Sequence, residues 1–546
     1  MMKNSQIYVV FFVAVVLAFS GCEIKEKVHS PESVITPAGL IRHISVLASD
    51  EFEGRGIGGN GEKKTLDYLT KEFSALGLKP GAGNSFLQEF ELLRYNTKQL
   101  SNLAIKAGGK NISFKYGTDY VASGRVVGEK VSVENKKIVF AGFGINAPKY
   151  ARNDFAGVDV RDKIVVVFVN DPGLYSEDSS YFKGKELTMY GRWDYKFEEA
   201  ARRGAAGILI VHEDYAASYP WSVVESSFGG TEYFQKSSAE LGIKFTGWIS
   251  GAKAKELFSA AGLSLEKERK RAATKEFKAV ELNATGNMSL AVTSESIKTN
   301  NFIAKIEGTD LKHEAVFYTA HWDHLGYDST LSGDDKIYNG ALDNASGVSA
   351  LIEIAKSFKQ MPELKKPRRS IYFLITSAEE KGLLGAEYYV RHPIVPIPKT
   401  IAAINVDGIN IFGKTADIVL VSSGHSDLDL LVYAAAKQSQ KSVSPNPHPE
   451  SGGMFRSDQY SFAKSGVPVI YFTSGVLDRE SGGNMILQKK KEWIKNIYHT
   501  PKDEYDQNTW DMDAAVEDVK LLFTVGMVLV REKTYPKWNE DSEFRK

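Results

Sequence analysis

The stretch from Ala315 to Gly347 constrains this chain more than any other. An apolar run, Ala315-Val316-Phe317-Tyr318-Thr319, leads directly into AHWDHLGYDSTLSGDDKIYNGALDNASG. A continuous apolar run of this length, bounded by polar turn residues, predicts a strand buried on both faces, as in a parallel sheet. His321 and Asp323 then fall where that strand ends, and Asp343 falls in the turn before the next helix. Ligands of open α/β sheets gather outside the carboxyl ends of the strands. An imidazole and carboxylates delivered to that edge point to a metal site.

The alternation continues on both sides of this stretch. Strands are expected at residues 301–307, 315–319, 369–376, 399–406 and 467–472, and helices at 347–358, 427–438 and 513–531. Strands alternating with helices predict an α/β fold, a mostly parallel sheet sandwiched by helices. Residues 37–47 and 62–76 carry apolar residues at helical spacing, with Gly77 as a stop. The glycines between 54 and 61 form a loop. It is not a phosphate cradle, because no strand precedes it and no Gly-Lys-Ser/Thr follows. Strands are expected at 86–93 and 103–114, after which the texture changes to short β-branched runs at 137–143, 163–169 and 207–212. Residues 115–282 are therefore expected to be a β-rich insertion, with the main domain divided into 37–114 and 283–546.

Lys plus Arg and Asp plus Glu are both 68, so the net charge is zero. That argues against a nucleic-acid partner held by bulk positive charge. The single cysteine excludes an intrachain disulfide. The chain opens MMKNSQ, and residues 7–19 are apolar apart from the phenol of Tyr8, a run shorter than a spanning helix needs. Ser20-Gly21-Cys22 follows and resembles the lipobox of bacterial lipoproteins. The resemblance implies a signal peptide over 1–22, lipidation of Cys22 and a tether over 23–36. The expected product is an exported lipoprotein on the periplasmic side or outer membrane, held to the membrane by a lipid.

Five places carry the candidate chemistry: His321-Trp322-Asp323-His324, Asp343-Asn344, Glu379-Glu380, Asp407 and, far away in sequence, His499. All but the last fall at predicted strand ends, so one sheet edge can gather them. The inventory suits two divalent cations, each taking imidazole nitrogen and carboxylate oxygen, a donor set that suits zinc. A carboxylate not bound to metal is also needed to take a proton from water. The Glu379-Glu380 doublet can supply one residue for each task.

AHWDHLG, GALDNASG, TSAEEKGLLGA, NVDG and YHTPKDEYD resemble, in this order, the motifs of the co-catalytic zinc aminopeptidases, peptidase family M28. The segments FAGFGINAPKYARNDFAGVDVRDKIVVV and EEAARRGAAGILIVHE resemble the protease-associated domain found inserted in several peptidases. The first resemblance implies a zinc-exopeptidase-like fold holding two Zn2+ per chain and hydrolysing the N-terminal bond of peptides. It implies that Asp343 bridges the metals, that His321 and Asp407 complete one site, and that Glu380 and His499 complete the other. Glu379 is then the general base, and Asp323 orients His321. His324 is expected to pack beside the ligands, Asn344 to fix the turn, and Gln459, where many relatives have histidine, to bind no metal. Tyr460 and Tyr498 are candidate donors to the reacting carbonyl. The alternatives are a carboxypeptidase of the glutamate carboxypeptidase type and a catalytically dead binding protein. The complete ligand set argues against the second.

Overall fold

The computed structural model describes residues 30–236, 242–533 and 535–545. The expected signal peptide, Cys22 and the first part of the tether lie outside them. Among the described residues no helix is long and apolar enough to cross a membrane.

The chain begins with α1 (Pro37–Leu47) and α2 (Asn60–Ala75), followed by β1 (Leu87–Ala107), β2 (Tyr120–Gly124), β3 (Gly128–Phe140) and β4 (Ile164–Phe168). After α3 (Trp193–Arg202) come β5 (Gly207–Val211), β6 (Phe245–Ile249), α4 (Gly251–Ala260) and the long β7 (Val280–Ile306). The remainder runs β8 (Leu311–His321), α5 (Ser346–Lys359), β9 (Arg369–Thr376), α6 (Leu384–Arg391) and β10 (Thr400–Asn405). It closes with β11 (Asp417–Leu420), α7 (Leu428–Gln438), β12 (Ser442–Ser444), α8 (Gln459–Lys464), β13 (Val469–Ser474), α9 (Met485–Asn496) and α10 (Met512–Arg531).

One sheet passes through the whole molecule in the order β12-β11-β13-β10-β8-β9-β7-β3-β4-β5-β6-β2. Two parallel blocks, β3-β4-β5-β6 and then β13-β10-β8-β9, are joined by the antiparallel β7. The mostly parallel, helix-covered sheet expected from the alternation is present. The residues expected as separate strands at 86–93 and 103–114 are instead mostly one strand, β1, which pairs with β7 from Leu87↔Phe302 to Ala107↔Ala284. β7 starts against Phe140 of the β-rich region and ends against Ile371 of the second block. The expected boundary between residues 282 and 283 therefore falls inside a continuous strand.

β8 shows why its sequence is apolar throughout. Val316, Tyr318 and Ala320 pack into the core under α1, α5 and α10, while Ala315 and Phe317 pack on the opposite face with Tyr389 of α6 and Phe462 of α8. Both faces are dry, so no polar alternation survives. Tyr318 donates to Leu522 O of α10 at 3.0 Å. A Cβ at Gly526 would lie 1.7 Å from that hydroxyl, so glycine sets how closely α10 lies on the sheet. With helices on both faces, the carboxyl ends of β8, β9 and β10 open at one edge.

Candidate metal centre

Three strands of the second block, β8, β9 and β10, deliver polar residues as they end. His321 is the last residue of β8; Glu379 and Glu380 follow β9; Asp407 follows β10. Asp343 comes from the turn before α5. His499 arrives from the loop between α9 and α10. Thus all five residues expected to bind metal, and Glu379, converge.

The distances divide the cluster into two sets that share Asp343. His321 Nε2 lies 3.2 Å from Asp343 Oδ1 and 3.3 Å from Asp407 Oδ1. His499 Nε2 lies 3.2 Å from Asp343 Oδ2 and 3.1 Å from Glu380 Oε2. Zinc bonds of ~2.0–2.2 Å at tetrahedral angles place two ligand atoms on one ion ~3.3 Å apart. The observed spacings agree with that value. His499 Nε2 is buried and makes a well-formed hydrogen bond with neither oxygen, as expected of a lone pair meant for a cation between them. His321 Nδ1 donates to the Asp323 carbonyl at 3.0 Å, which leaves Nε2 free as a ligand. The donor set thus fits two cations.

The charges of the cluster lean on one another. Burial pulls the His499 imidazole down, but Glu380 and Asp343 outweigh it and push its pKa up to about 10. Burial of Glu380 is likewise outweighed by His499 and His324, which hold its carboxyl well below the usual range. Glu379 behaves oppositely. Burial, reinforced by Asp407, Glu380 and Asp458, holds its pKa well above that of an ordinary glutamate.

The ligand loops are fixed from behind. Asn344 Nδ2 donates to Val406 O at 3.0 Å, and its Oδ1 accepts from the N–H groups of Gly347 and Gly408 at 2.9 and 3.0 Å. This ties the Asp343 turn to the Asp407 loop. A Cβ on Gly347 would come 2.1 Å from Asn344 Oδ1, so glycine is required for the close approach. Asp503 ties the His499 loop to the same turn, its carboxylate accepting from the Leu342 and Asp343 N–H groups at 3.0 Å each.

The roles of Asp323 and Tyr460 change in detail. Asp323 meets His321 through its main-chain carbonyl, not its carboxylate. Its Oδ1 instead accepts from the Glu379 N–H at 3.1 Å, and burial raises its pKa to about 7. His324 contacts the cluster directly, with Nδ1 2.6 Å from Glu380 Oε1. Gln459 is fully buried; it accepts from Asn405 at 2.7 Å and donates to Gly453 O and Met454 O at 3.2 and 3.1 Å. Asp458 accepts from Thr376, and burial lifts its pKa to about 6. Of the two expected tyrosines, Tyr498 stacks on His499 with ring centroids 3.8 Å apart. Tyr460 packs under the Arg192 guanidinium instead.

Sequence reasoning missed two residues. Tyr471, at register with Asn405 on β13, is 9% exposed, and Asp407, Glu379 and Asp343 all act on its hydroxyl. Its position near the end of a parallel strand was the available signal. Arg55, from the glycine-rich loop, is 1% exposed. Nε donates to Trp322 O at 2.9 Å, Nη1 to Leu47 O and Asn339 O at 2.7 and 2.6 Å, and Nη2 to Gly340 O at 2.7 Å. It thus braces the loops that carry His321 and Asp343. Replacing Arg55 with methionine strands these buried carbonyls at ~1–3 kcal/mol each. The expected loss is at least ~3 kcal/mol, read from urea denaturation of the metal-free protein.

Residues 301–524 match peptidase family M28. The chain carries a family M28 peptidase domain. An aminopeptidase of Bacillus subtilis, YwaD, is 26% identical over 210 residues, covering 38% of this chain and 40% of that protein. A vacuolar membrane protease of Lodderomyces elongisporus is 30% identical over 117 residues, covering 21% of this chain and 11% of that protein. The chain therefore spans well under half the length of either relative. Among solved structures, an aminopeptidase from Aneurinibacillus sp. strain AM-1 superposes with a TM-score of 0.54 at 17% identity, covering 93% of this chain and 97% of that one. That likeness extends the shared fold beyond the M28 domain itself, across the β-rich region.

Proposed function

We propose that the protein is a zinc-dependent aminopeptidase, a hydrolase that removes the first residue of peptides at a two-metal centre. The supporting observation is the division of labour at Asp343, whose two oxygens face two different histidines, each with its own further carboxylate. His321, Asp407 and Asp343 would hold one Zn2+, and His499, Glu380 and Asp343 the other. Bound cations would supply Lewis acidity for the scissile carbonyl and lower the pKa of the attacking water.

The chain's own groups do the rest. Glu379, close to His321 and not needed as a ligand, takes the proton from the water and later gives it to the leaving amine. Asp323 holds the Glu379 main chain in place. Tyr471 and Tyr498 present phenols to the pocket, where a donor can meet the developing oxyanion. The anionic wall made by Asp407, Glu379 and Asp458 suits a free α-ammonium group, which favours release of the N-terminal residue.

The β-rich region fits the inserted protease-associated domain that its motifs resemble, and we place it at the rim of the cleft. The opening segment with Cys22 supports an exported lipoprotein, anchored to a bacterial membrane, whose partners are peptides. A panel of aminoacyl and N-blocked p-nitroanilides, assayed with and without a chelator, tests the reading. Chelator-sensitive cleavage of the free-amine substrates is expected. Cleavage of blocked substrates alone would overturn it.

A further inference from the structure

His324 is fully buried, and its surroundings fix the ring. Its main-chain N–H donates to Arg55 O at 3.3 Å. The imidazole lies against Gly340, where a Cβ would fall 2.5 Å from His324 Cδ2. Gly340 has a φ of +54°, and its carbonyl accepts from Arg55 Nη2. Glycine there both makes the turn and leaves room for the imidazole. The same ring meets His499 edge to face, with centroids 5.7 Å apart.

This placement gives the two oxygens of Glu380 different tasks. His324 Nδ1 lies 2.6 Å from Oε1, whereas Oε2 lies 3.1 Å from His499 Nε2. Ligand atoms that share one zinc sit ~3.3 Å apart, so Oε2 and His499 are spaced as two ligands of one ion. A separation of 2.6 Å is that of a charge-assisted hydrogen bond. A carboxylate only accepts, so Nδ1 carries the proton and has no lone pair for a cation. Among the described residues no hydrogen bond joins His324 to His321 or Asp407. His324, Asp343 and Glu380 nevertheless come close enough to form a competing ligand set, which the experiment below separates.

Groups that hydrogen-bond a metal ligand from behind fix its orientation and tune the affinity of the site. We propose that His324 is a positioning residue for one of the two cation sites. By holding Glu380 Oε1, it presents Oε2 alone to the ion shared with His499 and Asp343, and it sets the affinity for that ion without binding it. The effect is local, since the His321–Asp407 set makes no hydrogen bond with His324. This rests on the two-metal reading and concerns how that centre is built.

The test uses the full chain and reads zinc affinity by competition with a chromophoric chelator. Asp407→Ala leaves one complete ligand set, His499, Glu380 and Asp343; His499→Ala leaves the other. In the Asp407→Ala background, adding His324→Phe should weaken zinc binding ~10- to 100-fold, the usual effect of losing a hydrogen bond behind a ligand. Phenylalanine keeps a ring in the space beside Gly340. His324→Asn, whose amide N–H can stand where Nδ1–H stands, should recover most of the affinity. In the His499→Ala background His324→Phe should leave zinc affinity unchanged. No loss in the first background, an equal loss in both, or no recovery with asparagine would overturn the proposal alone. So would zinc that is held by the Asp407→Ala/His499→Ala protein and lost on adding His324→Phe, because His324 would then be the ligand itself. Fewer than two zinc ions in the wild-type protein would overturn the two-metal reading, and the proposal with it.

Discussion

Glutamine at position 379 is expected to leave zinc content at the wild-type level while lowering kcat by ~10^4-fold, the upper range for loss of a proton-transferring group. Glu379 is 9% exposed, and its folded environment disfavours the ionised form through burial and the nearby carboxylates of Asp407, Glu380 and Asp458. A carboxylate whose pKa is raised binds a proton more readily, so these neighbours make it a stronger base for the attacking water. Glutamine keeps the shape and the main-chain N–H that Asp323 holds, but it has no proton affinity to offer. Because the substitution removes an interaction used only on the way to the transition state, KM should change little. Parallel elemental analysis and kinetics check the result. Zinc loss equal to the activity loss would make Glu379 a ligand, and retained turnover in a zinc-loaded variant would remove it from the chemistry.

The second parallel block was legible because burial on both faces leaves an apolar run that turns cannot imitate. The observed β9 coincides with the expected segment, and α5 and α10 differ from theirs by a residue at the ends. The convergence of the candidate site residues was legible for a related reason. Parallel strands end at one edge of the sheet, so polar side chains that close several apolar strands in succession must meet there. What stayed hidden depends on contacts remote in sequence. β7 spans 27 residues and β1 spans 21, far beyond the usual ~5–6, and their exposed stretches show no core pattern over the full length. α9 buries only Ile486 of its twelve residues, so its KKKEWIKN run carries no apolar stripe. Arg55 looks like a loop residue until the carbonyls of residues 47, 322, 339 and 340 meet around it. Asp503 stands inside the YHTPKDEYD segment, yet its partners are amides 160 and 161 positions away.

The largest effect on metal content is expected from Asp343→Ala. Oδ1 faces His321 and Oδ2 faces His499, so one substitution removes a ligand from both sites. What remains is His321 with Asp407 on one side and His499 with Glu380 on the other, two protein ligands each, short of the three that hold a catalytic zinc. Elemental analysis after dialysis should find almost no zinc, and activity should fall at least as far as in Glu379→Gln. Asp407→Ala provides the contrast. It leaves His499, Glu380 and Asp343 together, so one of the two ions should be retained. A purely structural role for Asp343 predicts otherwise, because the metal-free protein would be destabilised while both variants lost zinc in equal measure. The shared carboxylate is thus tested by a difference in stoichiometry between two variants, a readout that neither misfolding nor loss of catalysis can produce.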